Sequence, residues 1–393
     1  MLLVGLISGT SMDGITAALV EINQGTSNDE LDLDVKLLDW INKEYPTQVK
    51  EKLLVLREEG TAPEVCELNF LLGEYFAEAA MEVIEQTGIQ PEKIDLICNH
   101  GQTICHLPQR FVSSEFGVPS TLQIGESDVI VERTGITTIG DFRTRDMAAG
   151  GEAAPLIPYV DHVLFRSTTH SRVLLNLGGI ANVTYMRASA TLEDLVAFDT
   201  GPASMIIDGV VEHLTQGQKV FDENGAMAAQ GQINELFLEE LMKHPFIHLP
   251  PPKSTGREEF GKDFLNELLK KAEMAQLDGH DLIATVTAFS SASLVLNCQT
   301  FLGEFDELIV GGGGAHNQTL LKMVEERLEG VKILTTQSMG IPVEAKEAVG
   351  FAILGYQAFH GRPNNVPGAT GAKHPVVMGK ISPSHQKRLS WQA

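Results

Sequence analysis

The chain opens on Met1–Ile22, MLLVGLISGTSMDGITAALVEI, an apolar run broken by small and polar residues and then resumed. Leu2, Leu3, Val4, Leu6 and Ile7 make the short apolar run expected of a strand buried on both faces. Ser8-Gly9-Thr10-Ser11-Met12-Asp13-Gly14 follows, and Ile15 to Ile22 returns as a second strand, which predicts a hairpin. Its loop offers glycine-freed backbone N–H groups, three hydroxyls and a carboxylate. Such donors can wrap phosphate oxygens, with Asp13 facing the metal that phosphate brings. On this loop alone an ordinary Gly/Ser turn reads the same way.

A partial echo comes at Arg172–Met186, RVLLNLGGIANVTYM, about 170 positions later. Val173, Leu174, Leu175 and Leu177 run into Gly178-Gly179, and Ile180 to Tyr185 return. The echo is of pattern and not of residue identity. It predicts an α/β chain of two related domains, each presenting one phosphate-facing hairpin to a shared cleft, with the junction near 165–172. The expected domains are 1–170, carrying the first hairpin and most ligand contacts, and 171–393, whose tail beyond Gly361 either packs loosely or docks onto the other domain.

At 393 residues there is length for two proper cores. A net charge of −23 argues against a general nucleic-acid binder, though not against a nucleotide site, which needs only local donors and Mg²⁺. Cys66, Cys98, Cys105 and Cys298 show no metal-ligand spacing and read as reduced thiols of a cytosolic protein. The N-terminus lacks a basic segment and reads as a first core strand instead of a signal peptide. The most apolar helical stretch, Leu282–Leu302, carries too many hydroxyls and Asn297 for a lipid-facing span, so no membrane partner is expected.

Helices are predicted at Thr47–Glu59, Pro63–Gly88 and Ser127–Thr134. A buried strand at Ile94–Cys98 is expected to deliver Asn99-His100-Gly101-Gln102-Thr103 at its carboxyl end, where open α/β sheets hold ligands. His100 and Gln102 are therefore candidate substrate contacts, the alternative being a polar turn that caps the strand. Asp141-Phe142-Arg143-Thr144-Arg145-Asp146 follows a strand at Thr137–Ile139, and its arginines suit a carboxylate or phosphate. A surface ion-pair network would use the same residues. Strand Leu308–Val310 feeds Gly311-Gly312-Gly313-Gly314, a floor without side chains suited to nucleotide packing, and then Ala315-His316-Asn317.

GxxxxGK[ST], GxGxxG, HExxH and GxSxG are all absent. A strand at Leu195–Phe198 ends in Asp199-Thr200-Gly201-Pro202, which makes Asp199 the candidate general base for phosphoryl transfer. Its rival role is to cap the helix that begins at Ser204.

Together these motifs resemble the anhydro-N-acetylmuramic acid kinase family, of the sugar kinase, heat-shock-70 and actin superfamily. Eight motifs in order carry the match, essentially end to end: Gly9–Gly14, Asn99–Thr103, Gly140–Gly151, Asn176–Gly179, Phe198–Pro202, Lys253–Arg257, Gly311–Asn317 and Gly340–Pro342. The resemblance implies two ribonuclease H-like (actin-like ATPase) domains around a central nucleotide cleft. It implies a cytoplasmic bacterial enzyme that uses ATP and Mg²⁺ to phosphorylate O6 of 1,6-anhydro-N-acetylmuramic acid while water opens the anhydro bridge at C1. The product would be N-acetylmuramic acid 6-phosphate, in recycling of the cell wall. By similarity Gly9, Thr10, Ser11, Met12, Asp13, Gly14, Ile15 and Thr16 hold the ATP phosphates, with Asp13 reaching Mg²⁺ through water. Gly178, Gly179, Gly311, Gly312, Gly313, Gly314 and Asn317 also line the nucleotide site. Asp199 matches the catalytic aspartate, Glu347 and Asp146 fall among the sugar-facing residues, and Arg145 is the expected partner of the lactyl carboxylate. Relatives suggest a homodimer. Relatives often continue Gly-Asn after Pro202, whereas this chain has Ala203-Ser204. A same-fold kinase of an ordinary sugar hydroxyl, and an ATP-switched binding protein, remain as alternatives.

Overall fold

The computed structural model describes residues 1–9, 12–27, 29–108 and 116–385. Thr10 and Ser11, two of the expected phosphate contacts, lie outside the described residues. The chain divides into two compact units, one made of Met1–Leu164 with Glu344–Ala393 and the other of Phe165–Val343.

In the first unit, β1 (Leu2–Ser8) and β2 (Gly14–Gln24) form the predicted antiparallel hairpin, and β3 (Leu33–Glu44) extends it. β4 (Leu96–Leu107) runs parallel to β1, and β6 (Thr138–Gly140) runs parallel to β4. β5 (Ser120–Ile124) pairs with the far part of β4, and strand Lys380–Ser382 pairs antiparallel with β6. Alternate residues of a strand face opposite sides, and β1 uses both. Val4 and Leu6 join a core with Leu68, Leu72, Phe76 and Val83 of helix Ala62–Thr87. Each such side chain contributes about 1.5–3 kcal/mol by burial. On the other face Gly5 lies under Ala348 of helix Lys346–Phe359, so close that a Cβ on Gly5 would stand 1.8 Å from the Ala348 carbonyl oxygen.

Two expectations change here. β4 does not stop at Cys98 but continues through Leu107, because β5 gives its distal half a hydrogen-bonded neighbour. The stretch from Glu344 onward belongs to the first unit and not to a 171–393 domain. Helix Lys346–Phe359 supplies the apolar cover that one face of β1, β2 and β4 requires.

The second unit repeats the plan. β7 (Arg172–Leu177) and β8 (Ile180–Met186) form the second predicted hairpin, with β9 (Val196–Pro202) antiparallel to β8. β10 (Glu307–Gly311) lies parallel to β7, and β11 (Lys332–Thr335) parallel to β10. The order β9-β8-β7-β10-β11 of this sheet matches β3-β2-β1-β4-β6 of the first, each with its second strand antiparallel, which is the ribonuclease H-like arrangement; β5 and the Lys380–Ser382 strand are additions to the first sheet. Helix Gly279–Phe301, long and apolar enough by length and composition to cross a membrane, is the buried centre of this unit.

Candidate active site

In the first unit the hairpin loop is built from the strand ends inward. Ser8 is buried, and its Oγ lies 2.6 Å from Gln102 Oε1 and 2.9 Å from the Gly14 carbonyl, tying the loop to β4. The Met12 N–H donates to the Gly9 carbonyl at 3.1 Å, and the Met12 side chain is buried. Ile15 is buried too, and Gly14, Ile15 and Thr16 pair with β3. The Met12 and Ile15 side chains therefore serve the core and the turn, which leaves only main-chain groups at these two positions to meet a phosphate. Gly9 is partly exposed, and the exposed Asp13 carboxylate forms an ion pair with Lys50.

The residues expected to touch sugar separate into two groups. His100 and Gln102 are buried within β4 and not displayed on a turn. The Gln102 amide donates to the Thr103 carbonyl at 3.1 Å while its oxygen meets Ser8. His100 Nδ1 is 2.9 Å from the Gly101 carbonyl, and Arg143 Nε donates to His100 Nε2 at 2.9 Å. Burial first, and the Arg143 charge second, push the His100 pKa well below the usual histidine range, so the ring is neutral with its proton on Nδ1. Asp146 is completely buried: Oδ1 accepts from Asn365 Nδ2 at 2.7 Å and Thr370 Oγ1 at 2.8 Å, and Oδ2 accepts from the Ala153 N–H at 2.9 Å. Those three bonds make Asp146 a structural hub that joins its own helix to residues 153, 365 and 370.

Arg145 is exposed, and Glu347 keeps accessible surface while protein crowds its carboxyl group. Desolvation raises the Glu347 carboxyl above the ordinary range, opposed by Lys346 and Arg143. Glu347 sits in the first turn of helix Lys346–Phe359, which the buried Lys346–Asp161 ion pair, 2.6 Å long, fixes at its start. Arg143 is the residue that the sequence left in a cluster without a part of its own. It is held in place by His100 and by the Ala153 carbonyl, and burial lowers its pKa to about 10 against the pull of Glu347 and Asp146. A recess of about 630 Å³ opens beside this wall, lined by Asn99, His100, Gly101, Asp141, Thr144 and Gln123 among others.

In the second unit Asp199 lies inside β9 and not beyond its end, opposite Asn182 of β8 and next to a register shift. The Asp199 N–H donates to the Lys253 carbonyl at 3.1 Å, and the Thr255 N–H donates to Asp199 Oδ2 at 2.8 Å. The bulge after it is supported from helix Gly279–Phe301: Ser293 Oγ and Asn297 Nδ2 both donate to the Thr200 carbonyl, at 2.9 and 3.2 Å. Gly201 takes φ +147°, and a Cβ there would meet Ser293 Oγ at 2.4 Å. Asp199 does not cap the Ser204 helix. The first N–H groups of that helix instead reach the hairpin turn, Ser204 to the Gly178 carbonyl and Met205 to Gly179. Gly311 closes β10, Gly313–His316 forms one short turn, and Asn317 caps helix Gln318–Glu325 by accepting from the Leu320 N–H. That capping bond occupies the side-chain oxygen of Asn317, a residue expected at the nucleotide site.

Among the described residues no three His, Cys, Asp or Glu side chains gather as a metal cage. An exposed carboxylate such as Asp13 is a hard oxygen donor that suits a Mg²⁺ arriving on phosphates.

The family model for anhydro-N-acetylmuramic acid kinase matches residues 1–384. The protein of that name from Caldanaerobacter subterraneus subsp. tengcongensis is 48% identical over 386 residues, covering 97% of this chain and 96% of its own. Those from Bacillus cereus and Clostridioides difficile are 43% and 42% identical, each across 97% of this chain and 99% and 98% of their own. The chain belongs to the anhydro-N-acetylmuramic acid kinase family.

Proposed function

We propose that the protein transfers the γ-phosphoryl group of ATP to O6 of 1,6-anhydro-N-acetylmuramic acid while water adds at C1, yielding N-acetylmuramic acid 6-phosphate for recycling of the cell wall. The observation that carries this reading is Asp199, a carboxylate gripped by the Thr255 N–H on a bulge braced from behind. It takes a proton from water as the oxygen bonds to C1. The C1–O6 bond breaks, O6 bonds to the γ-phosphorus, and ADP leaves with the electrons of the old P–O bond. The phosphoryl acceptor thereby replaces the acid that ordinarily protonates a departing glycosidic oxygen.

Arg145 offers its guanidinium to the lactyl carboxylate, and Glu347 accepts hydrogen bonds from the sugar. Gly9 and Asp13, on either side of the first hairpin's tip, face the phosphates. Mg²⁺ bound through Asp13 and water would neutralise phosphate charge.

The test is phosphate transfer from ATP to the anhydro sugar, with N-acetylglucosamine as the neutral control. Only the anhydro sugar should be consumed, and Asp199→Asn should lower kcat about 10²–10⁴-fold while ATP still binds. Arg145→Ala should raise KM for the anhydro sugar and leave KM for ATP unchanged. Preference for the neutral sugar would refute the substrate assignment and leave the fold untouched.

A further inference from the structure

Asp199 is held at two points by one short segment, and that segment has an unusual anchor. The Lys253 carbonyl accepts the Asp199 N–H, and two residues on the Thr255 N–H donates to the carboxylate. Between them, the Lys253 side chain turns back into the unit. Its ammonium donates to the Phe246 and Ile247 carbonyls of the short helix Pro245–His248, at 3.0 and 3.3 Å. It also stands 4.7 Å from the centroid of the Phe246 ring, 5.4 Å from Phe301 and 6.0 Å from Phe198. Phe198 is the neighbour of Asp199 on β9, so the cation is packed against the same strand it helps to fix. A cation bound by two carbonyls and three aromatic faces is a directional anchor and not a solvated surface charge.

We propose that Lys253 is a positioning residue for Asp199: its half-buried ammonium pins the main chain at 253–255, and that main chain fixes the angle and place of the carboxylate. The proposal rests on the reading of Asp199 as base. A displacement of about 1 Å at a reacting group can cost on the order of 10²-fold in rate, so an anchor two residues before the carboxylate's hydrogen-bond donor is close enough to matter. Burial supports the same picture by lowering the Lys253 pKa to about 8, with the Asp199 charge opposing that shift. Asp199 on β9 is the charged group that acts on it. The short helix contributes carbonyls, while His244 and His248 at its ends turn to Glu259 and to the Met242 carbonyl. The helix Gly279–Phe301 contributes the Phe301 ring.

The test compares wild type, Lys253→Met, Lys253→Arg, Asp199→Asn and the double variant Lys253→Met/Asp199→Asn, with ATP and the anhydro sugar. Lys253→Met should lower kcat about 10–100-fold with both KM values within about threefold. Lys253→Arg, which keeps a cation over the rings, should recover most of the rate. In the Asp199→Asn background Lys253→Met should cost nothing further, since the group it positions is gone. The kcat–pH profile of wild type should fall above about pH 8, and Lys253→Arg should move that fall to higher pH. Undiminished kcat in Lys253→Met, or its full loss repeated on top of Asp199→Asn, would overturn the positioning role. Wild-type turnover by Asp199→Asn would instead overturn the base assignment. If Lys253→Met melts below the assay temperature, Lys253→Arg carries the test, and a loss of more than tenfold there refutes the proposal.

Discussion

Asp146 shows how much of a site depends on burial that a sequence does not display. Written in a run of charged residues, it has the same appearance as Arg145, yet one is exposed and the other accepts three hydrogen bonds in complete burial. Asp146→Asn would set an amide donor against groups that are themselves donors. It should cost about 2–4 kcal/mol in urea unfolding, more than a solvent-facing carboxamide exchange could. His100 carries a prediction about pH. Its folded pKa is depressed, so between that value and the unfolded 6.5 the unfolded chain binds a proton that the folded chain refuses. The stability that a neutral His100 confers is therefore present above pH 6.5 and is lost as pH falls below it, by up to about 1.4 kcal/mol per pH unit. The stability difference between wild type and His100→Gln should shrink from pH 7 to pH 5, and a difference that stays constant would show that the ring takes up its proton normally in the fold.

Elements were legible where local chemistry alone decides them. Helix Thr47–Glu59 and helix Ser127–Thr134 have the bounds that periodicity and flanking residues predict, and Gly88 ends helix Ala62–Thr87 in the left-handed conformation. β4 runs past the end that Asn99 and Gly101 suggest. Pairing with β1, β5 and β6 overrides that signal, and no local pattern announces it. The same holds for Asp199: its type and glycine neighbours marked it, but the grip of residues 253–255 exists only through pairing across more than fifty positions. Gly5→Ala tests how one element depends on another. Its Cβ would collide with the Ala348 main chain, which cannot rotate away as a side chain can, so helix Lys346–Phe359 must move. The expected cost is about 3 kcal/mol or more, the upper end for an overpacked core. Because Glu347 precedes Ala348, KM for the anhydro sugar should rise in any variant protein that still folds. A melting temperature equal to wild type would mean that the helix is not seated on β1 at Gly5.

The two units differ in how the chain builds them, although five strands of each sheet share one order. The second unit is a single uninterrupted stretch, Phe165–Val343, whereas the first needs residues from both sides of it. Composition could not reveal this, since a glycine- and proline-rich tail does not say which sheet it joins. The difference predicts unequal independence. A fragment of residues 165–343 contains all five strands of its sheet and the buried helix Gly279–Phe301, and it should unfold cooperatively in urea with native-like circular dichroism. A fragment of residues 1–164 lacks helix Lys346–Phe359 and so exposes the face of β1, β2 and β4 that this helix covers. Val349, Phe351, Ile353 and Leu354 are all buried on that helix. Losing four such side chains, at about 1.5–3 kcal/mol each, removes as much as the ~5–15 kcal/mol by which a whole domain is stable. Residues 1–164 alone should therefore give a broad, non-cooperative transition, and adding residues 344–385 as a separate peptide should restore a sharp one. A cooperative transition from 1–164 by itself would show that the returning helix is dispensable to the first sheet.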